Sequence, residues 1–348
     1  MARENNRHVI VRCIPWFAAV VFSVGCATTD EAGSAKGDVS AVTSRIFYGT
    51  DRNRQEEEKP SRFYGLKRGV PSQGVAEVKI SPADEKVILE NVLPLHKEDF
   101  FQQLHAAVQT AKSHTVMVFV HGFNRSFNNA SKLAAEFSYS KRFEGVTVIW
   151  SWPSSRNPAG YLEDEANIRW SRPHLAEFLQ DVIAQSGAER VHLLGHSMGA
   201  RGLSEVMLRD LIPAGIDLDT VGEYVLLAPD IDSAIFKRDV APALVGAGLH
   251  VSLYTSANDK ALASAYALRR YPRAGDSREG PIVTPGVETI DVTAANTSLL
   301  GHSYFDNSDE VSSDLAELLN RGKAASERNQ LLYIDAENGG YWQLSVGP

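Results

Sequence analysis

The order of strand-like and helix-like runs predicts a doubly wound, mostly parallel α/β sheet in one domain. Three observations carry that prediction. Residues 116–120 (VMVFV) form an unbroken apolar run, as expected of a strand covered on both faces. Short β-branched runs then alternate with segments that are apolar every third or fourth residue. Nothing between residues 75 and 320 has the composition of a linker. With 348 residues, 43% apolar and 22% charged, the chain can bury a large core. That composition excludes a disordered, collagen-like or disulfide-stapled protein.

The elements follow in order. An N-terminal hairpin is expected at 75–80 and 87–92, after a charged, turn-rich stretch at 52–67 that reads as an exposed loop. Phe101, Leu104, Val108 and Ala111 share one helical face. Beyond the strand at 116–120, strands are expected at 146–150, 191–194, 224–227, 251–254 and 289–292. Between them, helices are expected around 130–137, through Leu175, Phe178, Leu179, Val182 and Ile183, and through Leu203, Val206, Met207 and Leu211. Further helices fall at 235–245 and 261–268, and a closing one at 311–319. Such alternation places helices on both faces of a parallel sheet.

The first 25 residues read differently. Arg3, Arg7 and Arg12 precede a short apolar stretch at 13–25, the layout of a secretory signal peptide and too short for a comfortable bilayer span. The sequence SVGC at 23–26 resembles the bacterial lipobox, with Ser23 where the pattern prefers Leu, Val or Ile. Cys26 is then the expected site of lipid attachment, and residues 26–42 a small, polar tether to a domain at 43–348. Export by this route implies a bacterial cell envelope, most simply an outer-membrane lipoprotein facing the periplasm. A soluble periplasmic or secreted protein is the alternative. Cleavage removes three arginines and Glu4, so the net charge moves from −8 to −10. An acidic chain with no basic face is not expected to bind nucleic acid. Both cysteines, Cys13 and Cys26, precede the domain, which leaves it no cysteine metal site or thiol nucleophile.

The chemistry gathers around Gly195-His196-Ser197-Met198-Gly199, a G-x-S-x-G turn between a buried strand and a helix. Such a turn holds a serine exposed and strained, and the glycines remove the collisions that side chains would make there. A serine hydroxyl becomes nucleophilic once a histidine accepts its proton and an acid orients that histidine. Only His250 and His302 follow Ser197. His250 sits within a strand pattern, whereas His302 lies in a loop between the last strand and the last helix, where a base is needed. Asp259 follows a strand end and is the favoured acid, although aspartate there also suits a helix N-cap. Asp230 and Asp232 end the preceding strand and are the alternative acids. An oxyanion trap would use the N–H of Met198 and that of Phe123, in the His121-Gly122-Phe123-Asn124 turn. The side chains of His121 and Asn124 are read as braces for that turn. Trp150, Trp152, Tyr161 and Trp170 either line a substrate pocket or form a buried aromatic cluster.

With these residues in place, the chain resembles the α/β-hydrolase superfamily. More narrowly, it is similar to a bacterial, often exported esterase/lipase-like group of undefined substrate. The likeness rests on FYGTDRNR (47–54), VFVHGFN (118–124), WSWPS (150–154), LLGHSMGAR (193–201), LLAPDID (226–232), SANDKAL (256–262) and GHSYF (301–305). The resemblance implies an α/β-hydrolase-type sheet, a Ser197–Asp259–His302 triad, and no metal or organic cofactor. The sequence offers no H-E-x-x-H helix, P-loop or G-x-G-x-x-G turn. The leading expectation is a serine hydrolase of carboxylic esters, with a small or lipid-like acyl ester as substrate. A non-catalytic, envelope-anchored binding or scaffold protein on the same fold is the alternative.

Overall fold

The computed structural model describes residues 40–57, 59–157, 159–295, 308–336 and 339–345. Residues 1–39, with Cys26, and the segment carrying His302 lie outside the described residues. Eleven strands among the described residues form one sheet. In chain order they are β1 (Val42–Arg54), β2 (Tyr64–Ser81), β3 (Lys86–Leu95), β4 (Thr115–Val120), β5 (Val146–Ser151), β6 (Arg190–His196), β7 (Val221–Leu227), β8 (His250–Thr255), β9 (Val287–Asp291), β10 (Leu331–Ile334) and β11 (Tyr341–Leu344). Across the sheet the order is β10-β11-β9-β8-β7-β6-β4-β5-β1-β2-β3. The run from β1 through β5, β4, β6, β7, β8 and β9 to β11 is parallel, with antiparallel neighbours only at the two ends.

The core explains why the strands are apolar throughout. Val116, Val118 and Val120 of β4 join one buried cluster and Met117 and Phe119 the other, so β4 is covered on both faces. On the first face pack α1 (Lys97–Thr110), α3 (Tyr161–Gln185) and α4 (Met198–Val206), through Leu104, Phe178 and Leu203 among others. On the second pack α2 (Phe127–Ser140) and, after the short α5 (Ser233–Ile235) and α6 (Ala241–Gly246), α7 (Lys260–Arg269) and α8 (Asp309–Arg321). Burying each such side chain is worth about 1.5–3 kcal/mol, so the two-sided sheet is the main source of stability.

Two stretches depart from the expected pattern. The charged segment expected as a loop at 52–67 instead continues β1 to Arg54 and begins β2 at Tyr64. Arg52 is fully buried, because its charge is surrounded by acceptors. The C-terminal hairpin β10–β11 adds an edge that four-residue strands signal only weakly.

Register sets up the site. Val120 pairs with Gly195, His196 with Leu227, Leu227 with Tyr254 and Thr255 with Asp291. The strands therefore finish almost level. The turns after β4, β6, β7, β8 and β9 leave one edge of the sheet side by side. The chain also reverses direction across the sheet here: β4 connects to β5 on one side, and β6 lies on the other. That is the switch point at which open α/β sheets build their sites.

Candidate active site

Ser197 joins β6 to α4 with φ 53° and ψ −121°. A non-glycine residue held there costs of order 1–3 kcal/mol, which the surroundings must offset. They do so with three backbone hydrogen bonds. Ser197 N–H donates to Leu227 O at 3.0 Å, and Ser197 O accepts from Asp230 N at 3.1 Å and Arg201 N at 3.4 Å. Close packing fixes the turn as well. A Cβ on Gly199 would lie 2.3 Å from the carbonyl oxygen of His121, and one on Gly122 would lie 2.9 Å from Ser197 Cβ. Glycine at both positions lets the turn after β4 rest directly against the serine. Ser197 is only 5% exposed, and Met198, whose N–H opens α4, is fully buried.

The turn at 121–125 is held from several sides. His121 stacks on Trp152 with centroids 5.2 Å apart, and its carbonyl accepts the Trp152 indole N–H at 2.7 Å. Its Nδ1 lies 2.8 Å from Gly122 O, which can only accept, so Nδ1 carries the proton. Nε2 then accepts, from Ser151 Oγ at 3.3 Å and Arg52 Nη2 at 3.4 Å. Burial first, and the Arg52 charge second, hold His121 well below the ordinary histidine range, so the ring is neutral at physiological pH. The Gly122 carbonyl is thereby turned toward the imidazole. In a trans peptide the N–H of Phe123 points the opposite way.

Arg52 ties this turn to β1 and β5. It donates to Ser151 Oγ at 2.9 Å, Gly65 O at 3.2 Å, Ser154 O at 3.3 Å and Arg125 O at 2.7 Å. Burial pulls its guanidinium down to about 9, opposed by Asp51 and Asp164, so it remains a cation at neutral pH. Asp164, at the start of α3, accepts from Ser154 Oγ, from Ser155 N at 2.7 Å and from Asn124 N at 3.5 Å. Trp150, also fully buried, donates to Ser171 Oγ at 2.9 Å. Of the alternatives for the aromatic segment, Trp150 and Trp152 fit a buried cluster. Tyr161 instead packs on Phe123 at 5.7 Å.

The candidate acids differ in what already holds them. Asp259, 1% exposed in the turn after β8, caps α7 by accepting Leu262 N at 2.9 Å. Its turn is fastened to the one after β9, with Ala257 N donating to Thr293 Oγ1 and Asn258 Nδ2 to Thr293 O, both at 2.9 Å. Asp230 is ion-paired to Arg273 at 3.2 Å and accepts the Tyr161 hydroxyl. Burial, followed by the Asp230 charge, pushes that phenol up to about 12. Asp232 caps α5, accepting Ala234 N at 2.9 Å and Ile235 N at 3.1 Å. His250 opens β8 at the opposite end of that strand from the turn holding Asp259, and pairs with Glu223 and Glu288.

Sequence reasoning did not single out Arg52, Asp164 or Arg273. Each is a charged residue that chain-local patterning assigns to solvent, and only tertiary partners reveal its burial. Among the described residues no group of three or more His, Cys, Asp or Glu side chains is placed to hold a metal ion.

The chain is similar to several solved structures. A predicted CIB-like hydrolase from Thermoplasma acidophilum is 14% identical, with 80% of this chain and 99% of that one covered at a TM-score of 0.38. A hyperthermophilic esterase from the archaeon Pyrobaculum calidifontis is 11% identical, covering 83% and 88% at 0.38. A carboxylesterase from Bacillus subtilis is 15% identical, covering 60% and 85% at 0.33. No curated protein matches the chain. Residues 96–321 match the family described as "Alpha/beta hydrolase of unknown function (DUF900)", and the chain belongs to that family.

Proposed function

We propose that the protein is a serine hydrolase that cleaves carboxylic esters through an acyl-enzyme on Ser197. The observation that carries this reading is the strained Ser197 backbone, φ 53°, seated against Gly122 at the sheet's switch point. His302 takes the Ser197 proton as Oγ attacks the ester carbonyl. The tetrahedral oxyanion is held by the N–H groups of Met198 and Phe123, the latter aimed by the His121–Gly122 hydrogen bond. Collapse breaks the ester C–O bond, and His302 returns the proton to the departing alcohol. Water, activated by the same imidazole, then releases the acid and restores Ser197.

Asp259 is assigned as the acid that orients His302. Its cap bond uses Oδ1, and Oδ2 is the atom assigned to the imidazole N–H. Asp230 and Asp232 are not chosen because Arg273 and Tyr161 hold the first and two α5 N–H groups the second. We also propose that Cys26 carries lipid that keeps the enzyme at the cell envelope. Palmitate labelling should then disappear in Cys26→Ala.

The purified protein should hydrolyse p-nitrophenyl butyrate and take a fluorophosphonate label on Ser197, with fluoride as leaving group. Absence of both turnover and label would refute the reading and favour a binding protein on this fold.

A further inference from the structure

Arg52 is fully buried, yet among the described residues no carboxylate pairs with it, and every acceptor it uses is neutral. A buried cation without an ionic partner is costly, and an apolar side chain of similar volume is often tolerated as well or better. The reason for a guanidinium here lies in what its fork holds. β1 shifts register against β2 on both sides of Arg52, and such irregularities re-aim a side chain. They bring Arg52 from the hairpin onto the turn at 121–125.

One nitrogen grips both ends of that turn. Arg52 Nη2 donates to Arg125 O at 2.7 Å and lies 3.4 Å from His121 Nε2. Nη1 reaches Ser154 O at 3.3 Å, and Ser154 Oγ in turn accepts the Arg125 N–H at 3.2 Å. A guanidinium only donates, so His121 Nε2 accepts and the ring proton stays on Nδ1, 2.8 Å from Gly122 O. The planar fork fixes these directions together, which a single ammonium cannot do. Inside the turn, the Asn124 N–H is spent on Asp164 and the Arg125 N–H on Ser154. That leaves the Phe123 N–H, for which the described residues supply no acceptor.

We infer that Arg52 is a positioning residue of the oxyanion trap: acting through His121 and the Arg125 carbonyl, it aims the Phe123 N–H at the charge that develops on the ester oxygen. The inference rests on the Ser197 reading above and adds to it a residue that touches neither substrate nor serine. A donor fixed in advance needs no reorganisation as Oγ attacks, so the hold acts on the tetrahedral state rather than on the bound ester.

The test uses the full chain with p-nitrophenyl butyrate as substrate and trifluoromethyl propyl ketone as an analogue of the tetrahedral state. In that adduct Ser197 Oγ bonds the ketone carbon, the carbonyl electron pair moves onto oxygen, and the Ser197 proton passes to His302. Arg52→Met fills the space without the fork, and should lower kcat by about 10²-fold with KM changed by less than about threefold. Inhibition by the ketone should weaken by about the same factor as kcat/KM, since both need the aimed N–H. Arg52→Lys should recover part of the loss. Combined with His121→Phe, Arg52→Lys should cost little more than His121→Phe alone, because both act through one turn. Should Arg52→Met fail to fold, Arg52→Lys and His121→Phe are read in the same way. A folded variant that loses stability yet keeps the parent's kcat and ketone affinity makes Arg52 structural and overturns the inference, with ester hydrolysis intact. A loss confined to KM overturns it as well. A parent with neither turnover nor fluorophosphonate label refutes the serine reading, and this role of Arg52 falls with it.

Discussion

Two histidines, one buried and one partly exposed, sit among charges at opposite ends of the sheet, and their surroundings drive them in opposite directions. His121, beyond the end of β4, is flanked by a cation and a carbonyl, and is held well below the ordinary histidine range. His250, at the start of β8, lies between Glu223 and Glu288, whose hydrogen bonds push it up to about 10. The difference teaches that burial and the sign of the partners act together: burial leads at His121 and is reinforced by a cation, whereas two carboxylates outweigh it at His250. At the elbow end a neutral ring aims a peptide. At the other end a charged ring joins three strands, because Glu223 lies on β7 and Glu288 on β9. The elbow end also keeps a strained serine and glycines in backbone contact. At the far end Arg328, fully buried in its side chain, bonds Asp314 at 3.0 Å, Glu288 at 2.9 Å and Tyr254 at 2.9 Å.

If the elbow end trades stability for reactivity, the sharpest break comes from its serine. Ser197→Ala should lower kcat on p-nitrophenyl butyrate by roughly 10⁴–10⁶-fold. Ser197→Gly should be equally inactive yet melt at a higher temperature than the parent, since glycine accepts a positive φ without strain. A glycine variant with a lowered Tm would show that no strain is stored there. Next in size, Asp259→Asn should cost on the order of 10²–10⁴ in kcat, with little change in KM. Near-normal turnover in that variant, beside an inactive Asp230→Asn, would move the acid to the turn after β7.

Gly199→Ala tests the packing between the two turns. Its Cβ would meet carbonyl oxygens of His121 and Val120 at 2.3 and 2.4 Å, both main-chain atoms that cannot swing aside. The turn after β4 must retreat, so kcat should fall by about 10²-fold as the oxyanion donor is displaced, and stability by about 1–3 kcal/mol in urea titration. A variant that loses stability but keeps kcat would remove the Phe123 N–H from the mechanism.

Much of this arrangement was legible in the sequence, for an identifiable reason. The nucleophile turn is local: strand, G-x-S-x-G and helix are contiguous, and the level strand ends follow from the alternation of elements. Charged residues were misread where their partners are distant. Arg52 lies about 70 positions before the His121 turn it braces. Asp164 and Glu165 are acidic residues in the first turns of α3, which charge alone assigns to solvent, yet both are buried. All three candidate aspartates follow strand ends in the sequence, and only distant partners such as the Arg273 and Tyr161 that hold Asp230 separate them further.

The smallest effect belongs to the far end, and its sign is fixed by linkage. His250 is raised in the folded chain from an ordinary 6.5 to about 10, mainly by hydrogen bonds to Glu223 and then Glu288. A raised folded value stabilises the fold fully below the unfolded value and ceases to do so as pH climbs through the folded one. The contribution is therefore complete below pH 6.5, declines between 6.5 and 10, and is absent above. With 37% of its side chain in solvent, screening leaves it on the order of 1 kcal/mol. Unfolding free energies of the parent minus His250→Gln, taken in urea at pH 6 and pH 9.5, should differ by about that amount, larger at pH 6. Subtracting the variant cancels every other group that titrates in the same window, so a difference that does not change with pH would mean that Glu223 and Glu288 do not hold a charged imidazole.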